Sequence, residues 1–522
     1  MNPHDPGHRD HDMSSMDLSK RVESILVGAA CLVYVGLRLW RLADSCFWFD
    51  EIFSINAAEH TWAGLWWFVA QDLIHPPLFY ALLKVWISIG GDGLLWLRLF
   101  PVFCSVLALG PFLLLCKELR LEWAAKMWAL VFLAVNGAMI KYAQEVRMYG
   151  PLLFLSTVSI WLFARFFYKG KNIWLLTLTN VLLVYTHYYG WFVILAEVVL
   201  IFCIQRVKTR HVAVMFGIVA AAFAPWAIAV LKAASSGASA AQNIGWIERP
   251  AISSLMQFAF DLVEPFYFQQ SSVEAASNYL ISIPMLLVIV AATIAYFPRI
   301  GGRANKTAII LLSTFVLLPV LLAMLISWLS PLSVWGSRHL TIAYVPASIL
   351  CAMFFTEIRQ RVFAVSIQIF VVALITAALA LQFAQPKPDF VWCAWNDVAE
   401  SFRTEDGPDQ VVVFEDLVAY HIWFALRKTP GKRIFVVNDA PGVHEDKAYF
   451  LPRGFGEVGR ITLDQVPRDG FWMAFRSNVF DPAKPPFSEI IQQGFIPGKL
   501  AVLDRGGQQE VLVEMKNQAA KP

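Results

Sequence analysis

Eleven apolar stretches recur along this chain, each able to form a helix through a bilayer, and the loops between them alternate in charge. A helix needs about 20 apolar residues to cross a hydrocarbon core of about 30 Å. The stretches are roughly 22–40, 94–116, 123–140, 148–167, 173–187, 190–205, 211–231, 278–297, 307–328, 340–356 and 362–382. Lys and Arg gather in every second connection. They stand at Lys20/Arg21, Lys117/Arg120/Lys126, Arg165/Lys169/Lys171, Arg206/Lys208/Arg210, Arg299/Arg303/Lys306 and Arg359/Arg361. Basic loops stay on the cytoplasmic side, so the N-terminus is expected inside and the C-terminus outside. Composition agrees: 58% of residues are hydrophobic and only 16% charged, where soluble domains carry about a quarter. The net charge of +3 comes with no strong basic run, so no nucleic-acid partner is expected. The fold class expected is an α-helical polytopic membrane protein, about eleven transmembrane helices plus outer interfacial helices, with a C-terminal soluble α/β domain.

One apolar stretch breaks the parity. Residues 76–90 read as a helix, but fifteen residues rise only about 22 Å. Counting them as a span would invert every later loop, so they are expected to lie at the outer interface, with Pro76 and Pro77 in the first turn. Residues 50–72, rich in Trp, read as another interfacial helix. Residues 1–21 form an expected disordered cytoplasmic tail, in which His4, His8 and His11 are a weak metal-binding candidate. The first span follows Lys20 and Arg21 without a small-residue cleavage site and reads as a retained signal anchor. Residues 22–384 make the membrane domain and 385–522 the soluble domain, after a Gln385-Pro-Lys-Pro388 linker. Strand-like runs at 411–414, 434–437, 472–475, 500–503 and 511–513 alternate there with helical segments near 417–428 and 486–494, an α/β pattern. It carries no phosphate-binding glycine motif or nucleophile elbow and reads as a support or lid. Five cysteines lie in apolar spans. Cys46 and Cys393 fall on the outer side, where a disulfide is compatible with the sequence but not decided by spacing.

The polar residues of the membrane domain concentrate in the outer loops. Asp50 and Glu51 follow Trp48 and Phe49 directly after a span. Carboxylates are costly near a bilayer and tend to line a polar cavity; the alternative is a solvated interface pair. On a helix they diverge by about 100°, which suits Asp50 as a base and Glu51 as its orienting neighbour or a substrate contact. His75, before Pro76-Pro77, is a phosphate, sugar or metal ligand, or a hydrogen-bonded structural residue. Lys141 to Tyr149 is the densest cluster. Arg147 in it has the planar fork that suits a phosphate, or else pairs with Glu145 to fix packing. Arg338, at the start of the tenth span, would bind an anion beside free N–H groups, or snorkel to the interface. Tyr185-Thr-His187-Tyr188-Tyr189 reads as an aromatic belt. Two other functions compete. A lipid flippase would place its polar groups at mid-membrane and show inverted repeats, and a non-catalytic envelope assembly protein would work through its soluble domain.

Four motifs in order carry a family resemblance: Trp48-Phe49-Asp50-Glu51, His75-Pro76-Pro77-Leu78-Phe79-Tyr80, Tyr142-Ala143-Gln144-Glu145-Val146-Arg147-Met148-Tyr149 and Ser337-Arg338-His339-Leu340. They resemble the GT-C superfamily of integral-membrane glycosyltransferases over about residues 20–385. The branch is that of bacterial transferases of lipopolysaccharide-core galacturonic acid and lipid A aminoarabinose; protein O-mannosyltransferases are more distant. The family often has Ser, Ala and Tyr where this chain has Ala143, Val146 and His339. The resemblance implies inverting transfer of a sugar from a polyprenyl monophosphate, undecaprenyl phosphate in bacteria, to a hydroxyl of a lipid, glycan or protein acceptor. It implies a bacterial cytoplasmic membrane location with the site and C-terminal domain periplasmic. It makes Asp50 the catalytic base with Glu51 beside it. Arg147 and Arg338 would bind the donor phosphate, with Lys141 and Lys84 behind them. His75, Gln144, Glu145, Tyr149 and His339 would contact substrate, Glu145 also holding Arg147. A divalent cation is an open requirement, with Asp50, Glu51 and His75 as the ligands available.

Overall fold

The computed structural model describes residues 7–204, 208–266, 279–296, 303–358, 360–387, 390–404, 407–443, 449–476, 480–505 and 508–518. Helix α1 (Gly7–Leu39) leads into three short helices, α2 (Phe49–Glu59), α3 (Trp62–Asp72) and α4 (Leu78–Gly90). Then come α5 (Leu94–Leu107), α6 (Leu109–Glu118), α7 (Trp123–Val135), α8 (Gly137–Gln144) and α9 (Tyr149–Lys169). The bundle continues with α10 (Ile173–Thr186), α11 (Gly190–Ile204) and α12 (Thr209–Ser235). The short α13 (Ala240–Ile244) and α14 (Ile252–Val263) lie in the long connection that follows α12. After them stand α15 (Tyr279–Tyr296), α16 (Arg303–Leu329), a tight turn at Ser337–Ala343, α17 (Tyr344–Thr356) and α18 (Arg361–Ala384).

Among the described residues each expected span is mainly helical, and seven helices are long and apolar enough to cross a bilayer. The expected spans at α7, α10, α11 and α15 are shorter, 13 to 18 residues. The third expected span is cut at Asn136, whose side chain accepts from Met139 N at 2.9 Å and donates to the Asp261 carbonyl at 2.8 Å. That cap starts α8 afresh and brings the end of α14 against it. The stretch expected as an unstructured tail mostly belongs to α1, which begins just past Pro6 and has no proline inside it; His4 lies outside the described residues. The 13 residues of α4 reach about 20 Å, short of a full crossing. Burial ranks the helices: 72% of the apolar window of α9 and 78% of the one ending in α17 are buried, against 17% for α1, α12 and α18. The first pair forms the centre and the other three face lipid. Gly150 sets how α9 approaches α5, since a Cβ there would sit 2.3 Å from the Pro101 carbonyl oxygen. Small residues allow such backbone contacts in membranes.

The C-terminal domain begins with α19 (Ala394–Thr404) and alternates β1 (Gln410–Val413), α20 (Asp416–Leu426), β2 (Arg433–Val437), β3 (Gly459–Ile461) and β4 (Phe471–Arg476). It ends with α21 (Phe487–Gln492), β5 (Phe495–Arg505) and β6 (Gln508–Asn517). The sheet order is β3-β2-β1-β4-β6-β5. The first four strands run parallel, and β6 and β5 add an antiparallel edge.

This domain is fastened to α2, α3 and the end of α4. A single apolar cluster joins Phe49, Ile52 and Phe68 to Trp395, Tyr420 and Trp472. Asn56 donates to Tyr420 OH at 2.9 Å. Arg427 reaches Glu59 at 3.3 Å and Asp92 at 2.6 Å, and Lys428 meets Asp92 at 2.5 Å. A disulfide links Cys46 to Cys393, Cα atoms 5.4 Å apart.

Candidate active site

A cavity of about 400 Å³ opens where loops of the helical domain meet the C-terminal domain. Asp50, His75, Arg147, His187, Arg338 and His339 all line it, and Tyr449, Phe450 and Pro452 close it from above. The five membrane-domain segments that supply these side chains are those that charge alternation assigns to one side.

Asp50 and Glu51 occupy the first turn of α2, where acidic side chains complement the helix dipole. The turn sends them opposite ways. Asp50 faces the cavity with a side chain 26% exposed; Arg338 Nη1 lies 3.5 Å and Arg147 Nη2 3.9 Å from its Oδ2. Glu51 is fully buried. Its carboxylate takes Arg98 in a fork, 3.1 Å to Nε and 2.9 Å to Nη2, and accepts from Val146 N at 2.9 Å and Trp48 N at 3.2 Å. Arg98 also donates to the carbonyls of Leu42, Ser45 and Cys46. Glu51 therefore holds four segments in register and does not reach the cavity, a correction to its expected place beside the base.

Arg147 is buried and held from three directions. Nη1 donates to the Asp50 carbonyl at 3.2 Å and Ser54 Oγ at 3.3 Å, and Nη2 points at His75 Nε2, 3.1 Å away. A guanidinium only donates, so that His75 nitrogen accepts and the proton sits on Nδ1, which faces Asp72 Oδ2 at 2.6 Å. Burial, reinforced by Arg147, holds the His75 imidazolium form well below its usual range, keeping the ring neutral. Burial pushes the Asp72 carboxyl up to about 7, against the pull of Arg147. Asn243 of α13 donates to Asp72 Oδ1 at 2.9 Å. Leu73, with φ of 62°, turns the backbone through the left-handed region between Asp72 and His75, a conformation costly for a branched side chain. Sequence reasoning missed Asp72 and Asn243, which belong to no motif. It also read His187 as part of a belt, whereas its ring lies 4.9 Å from that of His339 on the cavity wall. Among the buried polar atoms, Trp48 Nε1 and Arg147 Nε have no hydrogen-bond partner.

Several expected contacts lie elsewhere. Lys84 Nζ donates to the carbonyls of Ala58 and His60, at 3.2 and 2.6 Å, satisfying the end of α2. Gln144 donates to the carbonyls of Arg38 and Trp40, at 3.1 and 2.8 Å, and so closes the end of α1. Lys141 stands over the Tyr142 ring, 5.9 Å from its centroid. Glu145 does not hold the Arg147 side chain: its Oε2 has no hydrogen-bond partner, and burial raises its carboxyl to about 7 although Lys141 lies near. Tyr149 is buried beside His339, ring centroids 6.3 Å apart, outside the cavity lining. A cation held by Asp50, Glu51 and His75 does not fit, because Glu51 is saturated by Arg98 and both His75 nitrogens are engaged. Among the described residues no three His, Cys, Asp or Glu side chains converge as a metal would need.

No protein-family model and no curated protein sequence matches the chain. Solved structures do. ArnT from Cupriavidus metallidurans in the apo state superimposes with a TM-score of 0.59 over 97% of this chain and 100% of that one, at 11% identity. The same protein bound to undecaprenyl phosphate gives 0.57 over 96% and 99%, also at 11% identity. The Archaeoglobus fulgidus oligosaccharyltransferase, solved with zinc and sulfate, gives 0.49 over 78% of this chain and 62% of that one, at 13% identity. From end to end, C-terminal domain included, this chain has the fold of ArnT.

Proposed function

We propose that the protein is an inverting glycosyltransferase that moves a sugar from a polyprenyl monophosphate to an acceptor hydroxyl at the outer face of the membrane. The observation that carries this reading is the pairing of one cavity-facing carboxylate with two guanidinium groups, Asp50 with Arg147 and Arg338, in an ArnT-like fold.

The chemistry follows from those three groups. The acceptor O–H presents its proton to the Asp50 carboxylate. Its oxygen attacks C1 of the sugar from the face opposite the phosphate, and the C1–O bond to phosphate breaks. The phosphate leaves with added negative charge, which Arg147 and Arg338 neutralise. A phosphate leaves without an acid to protonate it, unlike the leaving oxygen of a glycosidase. Pre-positioned donors are the larger contribution in such a site. Arg147 is fixed by Ser54, His75 and the Asp50 carbonyl before substrate arrives, so it needs no reorganisation. Arg338 has more freedom, its side chain being 27% exposed. The lipid-facing surfaces of the bundle give the prenyl chain its path.

The test is turnover of polyprenyl-phosphate sugars by purified protein, with Asp50→Asn as the diagnostic variant. Transfer is expected to fall by about 10²–10⁴-fold while the lipid phosphate still binds. Undiminished transfer by Asp50→Asn overturns the assignment.

A further inference from the structure

A second cavity, of about 600 Å³, adjoins the first and shares Trp246, Tyr449 and Phe450 with it. Its size falls within the range of about 300–1,000 Å³ usual for ligand sites. Helix α13 is the partition between the two. Ala240, Asn243 and Ile244 face the Asp50 cavity, while Ala241 and Gln242 line the second. The far wall is the start of α20, where Glu415 and Asp416 sit between β1 and the helix.

The two chambers differ in charge. The first holds Arg147 and Arg338. Among the described residues lining the second there is no Lys, Arg or His, and its charged groups are the two carboxylates. Both are already balanced and held still. Arg476 Nε lies 3.2 Å from Glu415 Oε1, and Asp416 Oδ2 takes Arg460 Nη2 and Leu451 N, each at 2.8 Å. A carboxylate offers about four lone-pair positions, so each keeps acceptor capacity beyond what its arginine uses. Three aromatic rings, those of Trp246, Tyr449 and Phe450, stand where the chambers join.

We infer that the second chamber holds the acceptor, and that the acceptor there is an uncharged, polyhydroxylated glycan segment. This rests on the glycosyltransfer proposed above and names the substrate class for its other half. Fixed carboxylates accept from sugar hydroxyls, and flat aromatic faces cover the C–H faces of sugar rings, burying apolar surface beside a polar rim. A phosphorylated acceptor is disfavoured in the same place: it would bring anionic oxygens to two carboxylates with no cation among the described lining residues to receive them. The donor's phosphate is thereby kept to the side of the partition where the arginines are. A glycan threaded past Trp246 and Tyr449 puts its terminal hydroxyl towards Asp50.

The experiment uses the full-length protein in lipid nanodiscs. Saturation-transfer NMR is run with three neutral probes, maltotetraose, chitotetraose and mannotetraose, and with maltotetraose 1-phosphate. At least one neutral tetrasaccharide is expected to bind. Trp246→Ala, at an exposed ring, and Glu415→Gln are each expected to weaken it by about tenfold, the loss of one strong contact. The phosphorylated probe is expected to bind at least about tenfold more weakly than maltotetraose. Should Glu415→Gln fold poorly for want of its Arg476 partner, Trp246→Ala carries the test alone. Binding of none of the neutral probes, binding indifferent to Trp246→Ala, or preference for the phosphorylated probe overturns the inference. Undecaprenyl phosphate binding, with Arg147→Ala and Arg338→Ala as controls, is measured on the same preparation. If it is retained and arginine-dependent while the glycans fail, only the acceptor inference falls. If glycans bind and the lipid phosphate does not, the donor reading falls instead.

Discussion

Two ion clusters grow from adjacent residues at the start of α2 and end in opposite conditions. The Glu51 cluster is closed. Its carboxylate takes four hydrogen bonds, and Arg98 spends donors on three carbonyls besides. The Asp50 cluster is open. Among the described residues its carboxylate is approached by cations at 3.5 and 3.9 Å, and it faces a cavity with Arg147 Nε still unpartnered. A buried polar network that is fully satisfied fixes structure; one that is left partly satisfied next to a cavity is disposed to take a ligand. The helix keeps the two roles apart, because neighbours on it point about 100° away from each other.

The contrast can be broken by exchanging charge for amide at each residue. Asp50→Asn is expected to lower turnover by about 10²–10⁴-fold, the usual contribution of a positioned base, with a smaller loss of stability than Glu51→Gln, since Arg147 keeps its hydrogen bonds to the Asp50 carbonyl, Ser54 and His75. Glu51→Gln is expected to act the other way. It leaves Arg98 buried beside a neutral group, at a cost of about 3–5 kcal/mol in stability, while turnover per folded molecule drops far less than in Asp50→Asn. Equal loss of turnover in both variants with equal stability would show that the division does not exist. Arg338→Ala is expected to weaken lipid-phosphate affinity by about 10–100-fold, one charge-assisted contact, read by titration of the purified protein. An unchanged donor response would remove Arg338 from the clamp.

The smallest effect concerns the docking of the soluble domain. Burial raises the Asp92 carboxyl, but Lys428 and Arg427 outweigh it and hold the group below its usual range. A depressed carboxylate stabilises the fold above its ordinary pKa of about 4 and loses that contribution as pH falls through the lowered value. Thermal unfolding from pH 6 down to pH 3 should therefore decline slightly less steeply in Asp92→Asn than in the parent. The difference stays within about 1 kcal/mol, since the pair is solvent-screened. A larger difference would make this bridge more than a surface contact.

Much of the architecture could be read in advance, because apolar length and loop charge are strong, local properties. Asp50, His75, Arg147 and Arg338 were readable for the same reason: a polar group beside an apolar span needs an explanation. Glu51, Lys84 and Gln144 carry the same chemistry in the same loops. What separates them is helix rotation and the position of free carbonyls at the ends of α1 and α2, neither of which is written in residue type. Asp72, Asn243, Trp246 and Tyr449 meet from distant segments without a shared motif, so only the folded chain assembles them. Helix α19 was legible and overlooked: Trp395, Val398, Ala399 and Phe402 are all buried at the spacing of an amphipathic helix. Strand β3, three residues long, is too short for any periodicity to show.

The Cys46–Cys393 bond clasps the chain at points 347 residues apart in sequence, one just ahead of the acidic turn and one just beyond the last membrane helix. Everything between belongs to a single covalent ring. A protease that nicks any exposed connection within it, such as the stretch around α13, would leave two fragments that migrate as one band until a reductant is added. Such bonds persist where thiols are kept oxidised, so the same gel, run on intact cells, would also tell which compartment the clasp faces.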